Sequence, residues 1–551
     1  MTTSNKTTSN INPASVWEEY KSGTTYKNQI NLYDNVEFNE NFYLGKQWEG
    51  VNAPDIEKPV INICKQAVDY SVSNLVSDDI GINVDLPKEL SQKLRDALEY
   101  IINHEITKVI EQTKFKSKSR MFMRNCAVDG DAFLHWRYDT DRNLRGKYKG
   151  EITVELLDNT NVIFGDPSTH DVESQPYIIT VSKFPVEKVK RMVRGDQSEV
   201  HADSEDYNQQ ERDAVSVSAY ATVLTRLWKE NGTVWFSKTT AKSVIVPPTD
   251  TGRELYPIVN MSWKRVKNSY HGVALITEIR QNQIMINKYF MMANEWVKKV
   301  SFPKVMYDMT KVPNWSNSVE ALGVNGIPKD AIAVATPTME LGQGVTSFFE
   351  NLLQKSKEVM GMFDATLGNV RPENTSAIIA LQKTASQPLE LQRLDYYQVV
   401  EDSVRIIVDI MANSYGEREV AFRPKGEDED KIMPFDFKDL KDASIGINVD
   451  VGASAYWSEI TKVQTLDNLY HNQIIPDPIT YLEQLPAGIL PEKNAIIEAI
   501  KAQQQAMMDQ MNAQPQPGQP PVSPNGPVSQ PQYMGGSTSP VPATTQAKKV
   551  L

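Results

Sequence analysis

Histidine and cysteine are both scarce: the 551 residues include six of the first and two of the second. Cys64 and Cys126 stand in dissimilar contexts without metal-ligand spacing, so neither a disulfide framework nor a zinc module is available. A reducing cytoplasm is the simplest compartment, and Cys126 reads as a buried structural thiol. "NHEITK" (103–108) opens like a zinc helix but lacks the second histidine. Phosphate-cradling glycine loops of either common kind are missing, and so is a G-x-S-x-G elbow. No apolar run reaches the ~18 residues a membrane span needs. The opening "MTTSNKTTSN" is polar and has no signal-peptide core. Basic excess is missing too: the net charge is −12. Tight duplex binding rests on Lys and Arg neutralising phosphates, so an acidic chain is not an obvious nucleic-acid binder, although it could let DNA pass without holding it.

What is present is a long alternation of helical and β texture, which predicts an α+β chain too large for one ordinary core. Residues 1–15 read as a disordered polar arm. Val16 to Tyr43 is mostly helical, with Trp17, Tyr20, Tyr26, Ile30 and Tyr33 at helical spacing. "NENFYLGKQWEG" (39–50) concentrates Phe42, Tyr43 and Trp48, which fit the edge of a packed core better than a surface stacking on bases. Helices are expected at 63–78, 86–113 and 116–128. Strands are expected at 131–139, 150–158, 161–166, 175–184, 215–230, 232–238 and 242–248. This mixed block spans 16–263.

A second helical phase follows. Residues 272–300 contain no proline and no glycine after Gly272, with Leu275, Ile279, Ile286, Phe290, Ala293 and Val297 at three- and four-residue steps. The segment 264–300 is one long helical part. A small Pro-bounded module with a strand-like "AIAVAT" occupies 301–343, a further helix 344–363, and a Gly- and Pro-containing loop 364–376. A very long helix is expected over 377–416, kinked at Pro388, which removes a backbone donor and clashes with the preceding turn. Strands return within 417–456 and helices within 457–512. The last 39 residues, 513–551, hold nine prolines and no acidic residue, the composition of a disordered tail.

Two groups of charged residues bear on chemistry. Asp129 and Asp131, in "VDGD", with Asp166 further on, are carboxylates of the kind that hold Mg²⁺. The commoner reading of such residues is a turn entering a strand. Between Tyr256 and Pro313 lie nine basic and three acidic residues, a local excess of positive charge in an acidic chain. Lys288, Lys298, Lys299 and Lys304 belong to this group. Singly each suits a solvated helix face; together, in a ring-shaped assembly, they would form rings of positive charge facing phosphates.

The order of parts resembles the portal proteins of tailed double-stranded DNA bacteriophages. "NFYLGKQWEG" followed by "PVINICKQAVDYSVSNLVSDD" is similar to the opening of that family, and residues 368–411 look like its loop and long helix. The resemblance covers roughly 16–510. It implies a homo-oligomeric ring, usually a dodecamer, at one vertex of the virion capsid, assembled in the host cytoplasm and without a membrane partner. In the family's terms 16–263 with 417–456 would be the wing. Residues 264–300 and 344–363 would be the stem, 301–343 the clip, 364–376 the tunnel loop and 457–512 the crown. Such rings dock the terminase large subunit, meet capsid or scaffolding protein and a head-completion adaptor, and pass, retain and release double-stranded DNA. They catalyse nothing and need no cofactor or metal. Asn369, Arg371, Glu373 and Asn374 of the loop are the implied channel contacts. The alternatives are a Mg-dependent nucleic-acid enzyme using Asp129, Asp131 and Asp166, or another virion ring or scaffold protein.

Overall fold

A computed structural model describes residues 11–76, 83–85, 92–142, 148, 150–193, 200–202, 204–205, 219–300, 305–308, 310, 332–335, 342–359, 387–422, 431–441, 446–448, 463 and 466–472, and positions 478, 481, 482, 496 and 500. The fold mixes helices and strands, in the α+β manner. It divides into two units, Met1–Tyr456 and Trp457–Leu551.

The first unit opens with α1 (Pro13–Gln29) and α2 (Leu32–Leu44). Asn12 caps α1, its Oδ1 accepting from the Ala14 amide at 3.1 Å. Asn31 separates the two helices with φ of 52°, a left-handed conformation that asparagine tolerates better than most residues. Gly45, with φ of 84°, ends α2. In α3 (Ile63–Leu75) the cap is Asn62: its Oδ1 accepts from the Lys65 amide, and its Nδ2 donates to the carbonyls of Phe42 and Tyr43, both at 3.0 Å. One side chain thus starts α3 and fastens it to the end of α2. Phe42 is buried in the main core, the Tyr43 hydroxyl donates to Asp69, and Trp48 Nε1 donates to the Pro59 carbonyl. The aromatic opening stretch is core edge.

Strand β1 (Asn83–Asp85) precedes α4 (Gln92–Gln112) and α5 (Phe115–Asp129). The strands β2 (Asp131–Asp139) and β3 (Glu151–Leu157) then pair antiparallel. The next strands are β4 (Val162–Phe164), β5 (Ile178–Pro185), β6 (Ser204–Glu205), β7 (Ala219–Glu230), β8 (Thr233–Thr239), β9 (Val244–Asp250) and β10 (Ile258–Ser262), with α6 (Val186–Met192) after β5. They form two sheets. One has the order β10-β2-β3; the other runs β4-β5-β7-β8-β9, with β6 on β7. Alternation along β2 serves both sides. Leu134 and Trp136 enter the main core with Phe122 and Met123 of α5, while Phe133 joins Phe164, Tyr256 and Tyr270 in a second cluster.

Helix α7 (Leu275–Val300) leaves this block and α8 (Gln343–Val359) returns beside it. Between them β11 (Val305–Tyr307) pairs antiparallel with β12 (Ile332–Ala335). Helix α9 (Glu390–Ser414) starts from a 3-10 turn at Gln387–Leu389 and runs through the main core, burying Tyr396, Val400, Val404, Ile407 and Met411. Pro388 lies in that turn, at the head of the described helix; residues 377–386, where the expected helix would precede it, lie outside the described residues. Finally β13 (Glu417–Phe422) pairs with β14 (Lys431–Asp436), and β15 (Gly446–Asn448) pairs with β1, so the later strands rejoin the N-terminal block. In the second unit the Tyr470 and Tyr481 rings meet at 4.8 Å, and the Tyr481 hydroxyl donates to Asp467. No described helix is long and apolar enough to cross a membrane. The arm 1–10 and the tail 513–551 lie outside the described residues.

Candidate functional site

The helix pair α7/α8 is where the sequence placed its basic residues, and its construction follows from two kinds of contact. At its foot α7 is bolted down by amides. Gln283 Oε1 accepts from the Ile63 amide at 2.9 Å while its Nε2 donates to the Ile61 carbonyl at 2.7 Å. Asn287 Nδ2 donates to Gln47 Oε1, and Asn39 Nδ2 donates to Thr277 Oγ1. Each of these polar groups is buried or half-buried, where a lost partner costs about 1–3 kcal/mol. Ile276, Ile279 and Ile286 bury on the same side. Further out the pair holds itself together by rings: Phe349 of α8 stacks on Tyr289 and stands edge-on to Phe290, both with centroids at 4.7 Å. At 1.5 Å per residue the 26 residues of α7 span about 39 Å.

The outer flanks of the pair are apolar and open. Met285, Met292 and Val297 on α7 and Val345, Phe348 and Val359 on α8 are all exposed, Met292 to 58% and Phe348 to 56%. Leu391 and Leu394, in the first turns of α9, are exposed as well. Exposed apolar side chains thus recur along both helices of the pair.

The positive charge is less free than its count suggests. Lys288 is exposed and forms no ion pair among the described residues. Lys298 pairs with Glu57 at 2.8 Å, and Asn294 Nδ2 donates to the same carboxylate. The Lys298 hydrogen bond, then that of Asn294, holds the Glu57 carboxyl below its ordinary range. Lys264 pairs with Glu278, and Arg265 with Asp395 at 2.8 Å. Arg280 lies over the Phe38 ring and donates to Asn35. The carboxylates of Glu57 and Asp395 come from distant parts of the chain, so only the fold brings them to these cations. The Lys299 side chain, Lys304, and the loop residues Asn369, Arg371, Glu373 and Asn374 lie outside the described residues.

The three carboxylates considered for Mg²⁺ have separate duties. Asp131 is buried at the start of β2, where Oδ2 meets His271 Nδ1 at 2.6 Å and Oδ1 accepts from the Gly272 amide at 3.1 Å. Asp166 is held by its own loop, accepting from the Ser168 amide and hydroxyl. Asp129 ends α5, and burial pushes its pKa up to about 7; Arg124 opposes this, and Glu40, Asp158 and Asp131 add to it. Among the described residues no three His, Cys, Asp or Glu side chains are grouped to hold a metal ion. Cys126 is fully buried, and its thiol is pushed well up by burial.

The sequence did not reveal a buried cation beside Asp131. Lys27 of α1 is fully buried and its Nζ donates to the carbonyls of Asn159, Thr160 and Val162 at 2.7, 3.0 and 2.6 Å. Burial lowers its pKa to about 7 against the opposing pull of Asp131. Its neighbours in sequence are polar, so helical spacing alone gives it no reason to face inward. Lys27 ties α1 to β4, and Asp131 ties β2 to the segment that leads into α7. No model of a known protein family matches the chain, and no curated protein is similar to it in sequence.

Proposed function

We propose that this chain is a portal-type ring subunit through which double-stranded DNA enters and leaves a phage capsid. The observation that carries the reading is the pair α7/α8: α7 bolted at its foot to an α+β body, α8 packed beside it, a short antiparallel strand pair between them in sequence, and exposed apolar residues along both helices. In the proposal the flanks meet neighbouring subunits, burying surface at about 25 cal/mol per Å². The body is the wing, β11–β12 belongs to the clip that receives an adaptor, and the segment 364–376 faces the channel. The acidic balance fits passage: a wall that neutralised many phosphates would resist sliding, whereas a mostly negative wall with isolated cations such as Lys288 would not. Docking of a terminase motor and contact with capsid or scaffolding protein follow from the same reading, as does a place in the virion.

A Mg-dependent nucleic-acid enzyme has no comparable support, since Asp131 and Asp166 are committed to structural hydrogen bonds. Imaging of the purified protein by negative stain is the test. Rings with a central hole are expected. A strictly monomeric protein that cleaves or joins DNA with Mg²⁺ would overturn the proposal. Replacing Arg371 and Glu373 together is expected to leave rings intact and to impair packaging or retention.

A further inference from the structure

The sheet β10-β2-β3 carries two helices side by side. Helix α5 packs over β2 and β3, and α9 packs over β10 and β2. Both cover the same face: Phe122 and Met123 of α5 and Tyr396 and Val400 of α9 share the main core with Leu134, Trp136, Val259 and Met261. The two helices run antiparallel. α5 turns back at Gly130 into β2, and its first residue, Phe115, meets Trp136 with ring centroids at 5.6 Å. α9 runs against β10. Gln392, near its start, donates from Nε2 to the carbonyl of Trp263, just past the end of β10. Asp409, near its end, accepts from the amide of Leu255, just before β10 begins. Since β10 is antiparallel to β2, α9 runs with β2 and α5 runs against it.

The outer flanks of this helix layer lie at opposite edges of the sheet. Met121 of α5, 58% exposed, lines a cavity beside β3 together with Val154 and Leu156. Gln398 and Asp402 of α9 line a cavity of about 670 Å³ beside β10, whose apolar floor includes Val259, Met261, Val399 and Ile406. The flanks also differ in charge. Thr113 to Val128 holds five cations and no acidic residue, whereas Glu390 to Asp402 holds four acidic residues and one cation. Arg120 is exposed and forms no ion pair among the described residues. Glu401 and Asp402 both turn to a single cation, Arg405. These charges stand at one height. The Trp263 amide donates to the Gly130 carbonyl at 2.8 Å, which sets Gln392 level with Gly130. Arg120 lies ten residues back along α5, and Glu401 and Asp402 nine and ten residues on along α9, so each is about 15 Å from that level in the same direction.

We propose that the α5 flank of one copy docks on the α9 flank of the next copy, with Arg120 against Glu401 and Asp402 and Met121 over the cavity floor at Val399 and Ile406. The contact is heterologous: two different patches on opposite edges of one layer meet, and the repeated step generates a ring when its rotation closes. Each step around a many-membered ring is a small rotation, which nearly preserves height and helix direction. The antiparallel run and the common height found within one chain therefore carry over to the contact between chains. Charge sets the partner, since a spare cation meets two carboxylates that share one arginine. An unbranched methionine suits an irregular cavity. The inference rests on the ring reading and adds a contact in the body to the one at the α7/α8 flanks.

The test is analytical ultracentrifugation of the full-length protein across a concentration series, with a thermal melt of each variant. Arg120→Glu, Asp402→Arg and Met121→Asp should each raise the concentration needed for assembly by about tenfold or more, because like charges or an unpaired charge then meet at the contact. Arg120→Glu combined with Asp402→Arg should assemble close to the parent. Arg120 and Met121 are exposed, so their variants should keep the parent's melt even if Asp402→Arg fails to fold. Assembly of Arg120→Glu and Met121→Asp at the parent's concentration would overturn this contact and leave the ring reading standing on α7 and α8. Weakened single variants without recovery in the combined one would overturn the pairing of Arg120 with Asp402. A parent that stays monomeric at every concentration would overturn the ring reading and this contact with it.

Discussion

Asp131 and His271 meet at 2.6 Å, carboxylate to ring nitrogen, at the point where the chain passes from the β core toward α7. Both side chains are buried, and the second carboxylate oxygen holds the Gly272 amide. Removing the carboxylate leaves the buried His271 ring and the part-buried Gly272 amide without their shared partner. Asp131→Ala is therefore expected to cost about 3–5 kcal/mol, the range for breaking a buried pair. Asp131→Asn keeps an oxygen for Gly272 and should cost less. Urea denaturation of the two variants checks the order, and equal losses would show that an amide oxygen cannot stand in for the carboxylate at Gly272.

Asp129, two residues before Asp131, gives a pH dependence of definite sign. Its folded-state pKa is about 7 against an ordinary 3.8, chiefly because it is buried. Between those values the native protein holds a proton that the unfolded chain releases, so this group's contribution to stability falls as pH rises. Asp129→Asn removes the penalty. At pH 8 the variant should be more stable than the parent by on the order of 2 kcal/mol, and the difference should fade toward pH 4. Thermal melts across that range would refute the assignment if the gain were the same at both ends.

Gly130 and Gly272 cross at close range beside this node. Gly130 has φ of +98°, and a Cβ there would sit 2.7 Å from the Gly272 carbonyl oxygen; a Cβ on Gly272 would sit 2.7 Å from Ser262 Cβ and 2.9 Å from the Gly130 oxygen. Gly130→Ala combines a strained dihedral with a backbone clash and should cost about 3 kcal/mol or more. By contrast Gly232→Ala, at φ of +83° with open space around it, should cost only the strain. Comparing the two by melting temperature separates crowding from dihedral strain.

How much of this was legible depended on range. Strand β2 and helix α7 follow from periods of two and 3.6 within a single segment, and both appear within three residues of their expected bounds. The break at Asn31 is local too, but asparagine signals a left-handed turn only weakly. What could not be read were pairings set by the fold. Lys298 looks like a free cation until Glu57 is brought beside it, and Lys27 looks like a solvent-facing lysine until three carbonyls close around it. Asp131 looked like half of a metal pair because its partner, His271, lies 140 positions away.

The open flanks of α7 and α8 give the proposal its most direct consequence. Met292 and Phe348 are both more than half exposed and lie outside the buried core, so Met292→Lys and Phe348→Lys should each change monomer stability by no more than about 1 kcal/mol. In an assembly the same positions would bury a charge against an apolar neighbour, at a cost repeated at every interface of the ring. Sedimentation should then show the parent as a large closed oligomer and the double variant as smaller species with an unchanged melt. If the double variant assembles as the parent does, these flanks are not the subunit interface.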